Sequence, residues 1–282
     1  MKDLKIPPGF DRLGFNARTY LLDTNVWSSI ASSSQALNAF LPWLQKNDAI
    51  AALSMFTMFE LSRANHMHRD FDRLLTIAAQ RIYIPLLYDE LSDLEMSNYP
   101  NEVELLWNPI KNHNETMFIS TISQDPHFIH KRQEFLEFGY TKFMNLDAFK
   151  SNFPLADDNG KFSANSAETF AWANTLDYLL RYFPEYILPF KDNLRAFDTS
   201  KLKSIYIRSL FLYFKYYMHG QSPNKSDFMD FANLSYLPYI DVYVTERNVL
   251  NTLSHMKASS GFLKSDLVHV REFVTVIEKS FK

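Results

Sequence analysis

The sequence predicts an α/β protein in which a parallel sheet is covered by helices on both faces and interrupted by a large, mainly helical insertion. Three observations lead there. Short apolar runs alternate with capped or amphipathic helical stretches near both ends of the chain, which is the pattern of strands joined by crossover helices. That alternation fails between residues 98 and 200, where helical patterns and polar, loop-like stretches take over. Only 6 Gly are set against 25 Phe and 15 Tyr in 282 residues. This disfavours a fold built on many glycine turns, and the 46% apolar content is far from a disordered composition.

In chain order, Thr19 to Leu22 is a buried strand ending in Asp23-Thr24-Asn25, and a helix should follow it. Asp48 to Leu53 is a second strand, after which Ser54 caps a helix carrying Met55, Phe56, Met58, Phe59 and Leu61. Arg81 to Leu87 is a third strand, with Pro85 marking its end or an edge, before an acidic helix start at Asp89-Glu90. Residues 98–200 are read as the insertion, with a loop at 152–160 and a helix over 164–182. Residues 201–219 form a long aromatic helix stopped by Gly220, and a loop at 222–224 leads to a helix capped by Ser226. Asp241 to Thr245 is a fourth strand, 247–257 a helix, and 267–270 a fifth strand before the last helix. The expected division is therefore 1–97 with 201–282 as one discontinuous domain, and 98–200 as its insertion.

A net charge of −3 gives no global attraction to nucleic acid, so any basic surface must be local. An acidic metal site would itself lower net charge, and its ions would restore positive potential where phosphate sits. The absence of Cys excludes disulfides, thiolate zinc sites and a cysteine nucleophile. The opening residues lack the apolar core of a signal peptide, so a cytoplasmic location and no membrane partner are expected.

Functional crevices in parallel sheets lie at the carboxyl ends of the strands, which places Asp23 and Thr245 there. Asp23, Thr24 and Asn25 offer oxygen ligands for a hard cation or its waters, while Asp23 also reads as a plain helix cap. Glu60 sits between Phe59 and Leu61, either solvent-facing or turned inward to a cation. Asp227 and Asp230, spaced i, i+3, point to one side with Asn233 extending the stripe. The helix macrodipole accounts for Asp227 fully and for Asp230 less well. Asp241 falls about 13 Å from Thr245 by strand rise and is read as structural, so Glu246 is favoured to complete the site. His66 and His68, two apart, point to different faces of a helix and do not make a zinc pair. No glycine-rich phosphate loop or G-x-S-x-G elbow is present.

The segments TYLLDTNVW, ALSMFTMFELSR and SDFMDFANLSYLPYIDVYVTERN, in this order, resemble the PIN-domain nucleases. The resemblance implies a three-layer α/β/α sandwich, Mg²⁺ or Mn²⁺ as cofactor, and hydrolysis of phosphodiester bonds, usually in single-stranded RNA. By position, Asp23 and Glu60 match the first two acids and Asp227 or Asp230 the third. Where the family often has Asp after the strand's Thr, this chain has Glu246. Thr24, Asn25, Thr245 and Glu246 would then support the metal or a phosphate. Lys225 and Arg247, with Lys201, Lys203 and Arg208, are the candidate contacts to a nucleic acid backbone, RNA in preference to DNA. The competing reading is a PIN-like scaffold without catalysis that binds RNA or a protein. A metal-dependent phosphatase is disfavoured because the first strand ends in D-T-N and not D-x-D. A protein inhibitor and a homo-oligomer are both left open by the sequence.

Overall fold

The computed structural model describes residues 6–112, 118–144, 162–221 and 227–280. The expected loops at 152–160 and 222–224, the cap Ser226 and the candidate contact Lys225 lie outside the described residues.

The chain is an α/β protein built on a six-stranded sheet in the order β4-β3-β2-β1-β5-β6. The strands are β1 Arg18–Leu22, β2 Ala49–Ala52, β3 Ile82–Pro85, β4 Trp107–Pro109, β5 Val242–Thr245 and β6 Asp266–His269. All neighbours pair in parallel except β3 with β4, which are antiparallel. The five parallel strands fall where the apolar runs predict them, to within a few residues at their ends. β4 is an addition. It is three residues long, lies inside the segment read as helical insertion, and sits at the sheet edge where its Pro109 is tolerated.

The main helices are α1 Thr24–Ser32, α2 Ser34–Lys46, α3 Met55–Leu61, α4 His68–Ala78, α5 Tyr88–Asn98, α6 Pro126–Met144, α7 Ala167–Tyr182, α8 Lys203–Leu212, α9 Asp227–Asn233, α10 Arg247–Ser259 and α11 Val270–Lys279. Two helices follow β1 where one was expected, because Ser33 breaks the chain direction and caps α2 through the Ala36 N–H. The long aromatic helix is α8 prolonged by a π-helical turn, Tyr213–Met218, and Gly220 ends it at φ +62°. A left-handed φ of this kind suits glycine.

Side chains alternate across the strands, so the sheet feeds two cores. Tyr20, Leu22, Ala51, Ile84, Val242 and Val244 pack with Trp27, Phe40, Phe71 and Phe273 from α1, α2, α4 and α11. Leu21, Ala52, Tyr83 and Tyr243 pack on the other face with residues of α3, α5, α7, α8, α9 and α10. Helices on both faces explain why the central strands are apolar throughout instead of alternating, and the arrangement is compatible with a three-layer sandwich. Helix α7, from the segment read as insertion, contributes Phe170 and Ala171 to the second core. Among the described residues no helix is long and apolar enough to cross a membrane.

Candidate metal centre

β1 lies between β2 and β5, so the chain leaves β1 towards one side and later returns through β5 on the other. This is the topological switch point, where helices diverge and a crevice opens at the strand tips. A pocket of about 230 Å³ occupies it, lined by Asp23, Thr24, Asn25, Glu60, Asp230, Glu246 and Val249. A larger cleft of about 760 Å³ opens at the opposite end, beside the first residues of β1, β5 and β6, where Arg18 and Asp266 pair at 2.6 Å. The smaller pocket holds the concentration of carboxylates.

Asp23 directly follows β1 and caps α1. Its Oδ1 accepts the Thr24 N–H at 2.7 Å and its Oδ2 the Thr245 hydroxyl at 2.9 Å, so the tips of β1 and β5 are tied through this buried carboxyl. The helix-cap role and the pocket role are thus held by one side chain. Thr24 then links two acids, its backbone to Asp23 and its hydroxyl donating to Glu60. Asn25 donates its amide to Glu246 at the exposed rim. Glu60 reaches the pocket because α3 is anchored from below. Ser54 caps α3 at the Thr57 N–H and donates its hydroxyl to Asn233 of α9 at 2.6 Å. That buried bond fixes the helix of Glu60 against the helix of Asp230.

Burial raises the proton affinity of this group. It pushes Asp23 up to about 6, against the hydrogen bonds from Thr245 and Thr24, and the Glu246 charge adds to the rise. Burial pushes Glu60 up to about 7, opposed by the Thr24 hydroxyl and reinforced by the charge of Asp23. Asp230 is raised by burial and by Asp23 and Glu60, while Lys215 acts the other way. The cause common to all three is negative charge gathered in a poorly solvated place.

The expected role of Asp227 as a ligand is corrected. Asp227 is buried away from the pocket, with Oδ1 held by the Lys215 ammonium at 2.8 Å and Oδ2 by the Tyr216 hydroxyl at 2.8 Å. Both oxygens are engaged, so Asp230 is the acid that α9 presents. Arg208 is also corrected as a nucleic-acid contact. It is buried among the rings of Tyr88, Tyr178 and Phe231, and donates to the Ser204 carbonyl. Lys203 pairs with Glu102 at 2.9 Å and Lys201 is partly buried, whereas Arg247 is exposed in the first turn of α10. Asp241 sits at the far end of β5, where it accepts from the Thr19 N–H and hydroxyl.

Sequence reasoning overlooked Lys215, Tyr216 and the pocket wall at Val249. A lone lysine inside the aromatic run LFLYFKYYM is the signal for the first, since a cation in such a run needs an anion.

The donor set is all oxygen and acidic, which suits a hard divalent cation and not a soft one. As the side chains stand, no three carboxylate or imidazole groups among the described residues are arranged to hold one ion. Glu60 is turned to Thr24 and Glu246 to Asn25, so a cation would have to draw them from these bonds. Comparison of the chain with family models, with curated proteins and with solved structures finds no match.

Proposed function

We propose that this protein is a metal-dependent nuclease that hydrolyses phosphodiester bonds, with single-stranded RNA as the substrate class. The observation that carries the reading is the meeting of Asp23, Glu60, Asp230 and Glu246 in one pocket at the switch point of the sheet. They come from four separate elements of the chain, and burial together with like charge raises the proton affinity of Asp23, Glu60 and Asp230. A cluster that disfavours its own ionised form is relieved by a divalent cation. The order of these segments also resembles the PIN-domain pattern, which is the ground for preferring RNA.

In this reading Asp23, Glu60 and Asp230 hold Mg²⁺ or Mn²⁺. The bound ion supplies an activated water and charge neutralisation at the scissile phosphate. Thr245 keeps the Asp23 carboxyl oriented, Thr24 sets the separation of Asp23 from Glu60, and Asn25 holds Glu246 at the rim. Arg247, exposed beside Glu246, is the described cation best placed to meet a phosphate backbone.

The test is Mn²⁺-dependent cleavage of single-stranded RNA by the wild type and by Asp23→Asn. Loss on the order of 10²–10³-fold is expected when a charge-stabilising group is removed from the site. Equal cleavage by both proteins, or none by the wild type across substrates and metals, sinks the proposal. A second reading, a non-catalytic scaffold of the same kind that binds RNA or a protein partner, is favoured by one observation. Asp227, one of the four expected acids, is committed to Lys215. Mn²⁺-independent RNA binding without cleavage would select it.

A further inference from the structure

Beneath the acid pocket lies Tyr243 of β5. It stands in register with Leu21 of β1, and both side chains enter the core on the face of the sheet covered by α9. Thr245 and Asp23, each two residues further along the chain, project to that same face. The charges that act on the Tyr243 hydroxyl are those of Asp23, Asp230 and Glu60, three acids of the pocket, and the Thr245 hydroxyl is within its reach. Tyr243 is 0% exposed, and its hydroxyl makes no hydrogen bond of regular geometry among the described residues. Leaving a buried hydroxyl without a partner is costly, so its place there calls for a reason.

One acceptor is open to it. Thr245 gives its hydroxyl proton to Asp23 Oδ2 at 2.9 Å, which leaves the lone pairs of its own oxygen able to accept. An ionised carboxylate only accepts, so the protons of such a chain run one way, from Tyr243 to Thr245 to Asp23. A phenol suits the outer place, since burial raises its pKa above the ordinary value and it stays a donor through the neutral range. We infer that Tyr243 is a positioning residue of the pocket, the outer donor of a hydroxyl chain that ends on Asp23 and fixes the plane of its carboxylate. Successive hydrogen bonds polarise one another, so the grip of Thr245 on Asp23 tightens with Tyr243 behind it. The other carboxylate oxygen is held by the Thr24 N–H at 2.7 Å, and Asp23 is thereby set from the tips of both β1 and β5. The functional role rests on the reading of the pocket given above, whereas the hydroxyl chain does not.

The experiment is proton NMR of the intact protein at about pH 8, where Asp23 is ionised, with neither metal nor nucleic acid present. Burial shields the hydroxyl protons of Tyr243 and Thr245 from exchange with solvent, so both should give signals. The Thr245 signal should move upfield in Tyr243→Phe and stay in place in Tyr236→Phe. Tyr236 is the control because its hydroxyl is equally buried and unbonded in the same core, but the charges around it are Asp89, Glu90 and Arg208. The Tyr243 signal should move in Thr245→Val. A Thr245 signal that stays put in Tyr243→Phe, or moves as far in Tyr236→Phe, overturns the inference. Should Tyr243→Phe fail to fold, an unmoved Tyr243 signal in Thr245→Val overturns it instead. The second readout is Mn²⁺-dependent cleavage of single-stranded RNA, in which Tyr243→Phe should lose about 10-fold and Tyr236→Phe nothing. Added to Thr245→Val, Tyr243→Phe should cause no further loss, because it acts through that hydroxyl. Equal cleavage by the wild type and Tyr243→Phe overturns the positioning role. A wild type that cleaves nothing, while the signals move as expected, removes the nuclease reading and leaves the hydroxyl chain standing.

Discussion

Two buried acid sites in this protein are solved in opposite ways. Glu95 of α5 is buried and surrounded by donors: the Ser204 N–H at 2.7 Å, the Ser204 hydroxyl at 2.6 Å and the Tyr239 hydroxyl, with Arg208 lending its charge from nearby. Asp23 receives the Thr24 N–H and the Thr245 hydroxyl and Glu60 the Thr24 hydroxyl, but these two acids and Asp230 line one cavity, and the cations that act on them, Arg63 on Glu60 and Lys215 on Asp230, do not line it. The first is a network whose groups satisfy each other and lock α5, α8 and the turn at Tyr239 together. The second keeps surplus negative charge next to open space. Polar burial alone therefore does not distinguish the two; charge gathered beside a cavity does.

The largest effect that separates the two should come from Glu95→Ala. It removes the shared acceptor of the Ser204 N–H, the Ser204 hydroxyl and the Tyr239 hydroxyl and the charge facing Arg208, and is expected to cost about 3 kcal/mol in urea unfolding. Mn²⁺ binding should be unchanged. A cost under about 1 kcal/mol would show that the network is not the tie described here.

The next effect is the dependence of stability on pH. Asp23 rises from 3.8 to about 6, Glu60 from 4.5 to about 7 and Glu95 from 4.5 to about 7, in each case through burial first. Between those values the native state keeps protons that the unfolded chain has released. Metal-free stability should therefore be highest near pH 4–5 and fall as pH rises through about 7, on the order of 1 kcal/mol for each pKa unit of these shifts. Saturating Mn²⁺ should flatten the part due to Asp23 and Glu60 and leave the part due to Glu95, which Glu95→Gln then removes. A stability that climbs steadily from pH 4.5 to 7 without metal would reverse the assignment.

The smallest effect is a gain. Asp23→Asn keeps a good helix cap and removes one charge from the cluster, so the metal-free protein at pH 8 should become more stable by about 1 kcal/mol. A loss of that size would mean that the Asp23 carboxylate is held for structure and not for a ligand.

Much of the sheet was legible because buried parallel strands are continuous apolar runs, as in TYLL and VYVT, and the polar residues after them mark the tips. Asp23 and Glu246 could be placed by that rule alone. Glu60 could not, since a single Glu in an apolar helix is more commonly exposed, and the Ser54–Asn233 bond that anchors its helix joins residues far apart in sequence. The i, i+3 spacing of Asp227 and Asp230 made both candidates for one site, but a local pattern carries no information about which one Lys215 claims. β4 was missed because three residues ending in Pro cannot display a period. Arg208 was misplaced because charge on a helix is usually solvated, and here rings from α5, α7 and α9 close over it.

One small feature, the short β4, has a wider effect. Its outer side is met by the N-terminal segment, where the Asp11 N–H bonds the Trp107 carbonyl at 3.0 Å and the Trp107 N–H bonds the Asp11 carbonyl at 2.7 Å. That flank of the sheet ends in a reversed, proline-bearing strand with a strap across it, a poor template for another chain to extend. The sheet is thereby given a blunt margin on that flank, while on the other it ends in the parallel strand β6.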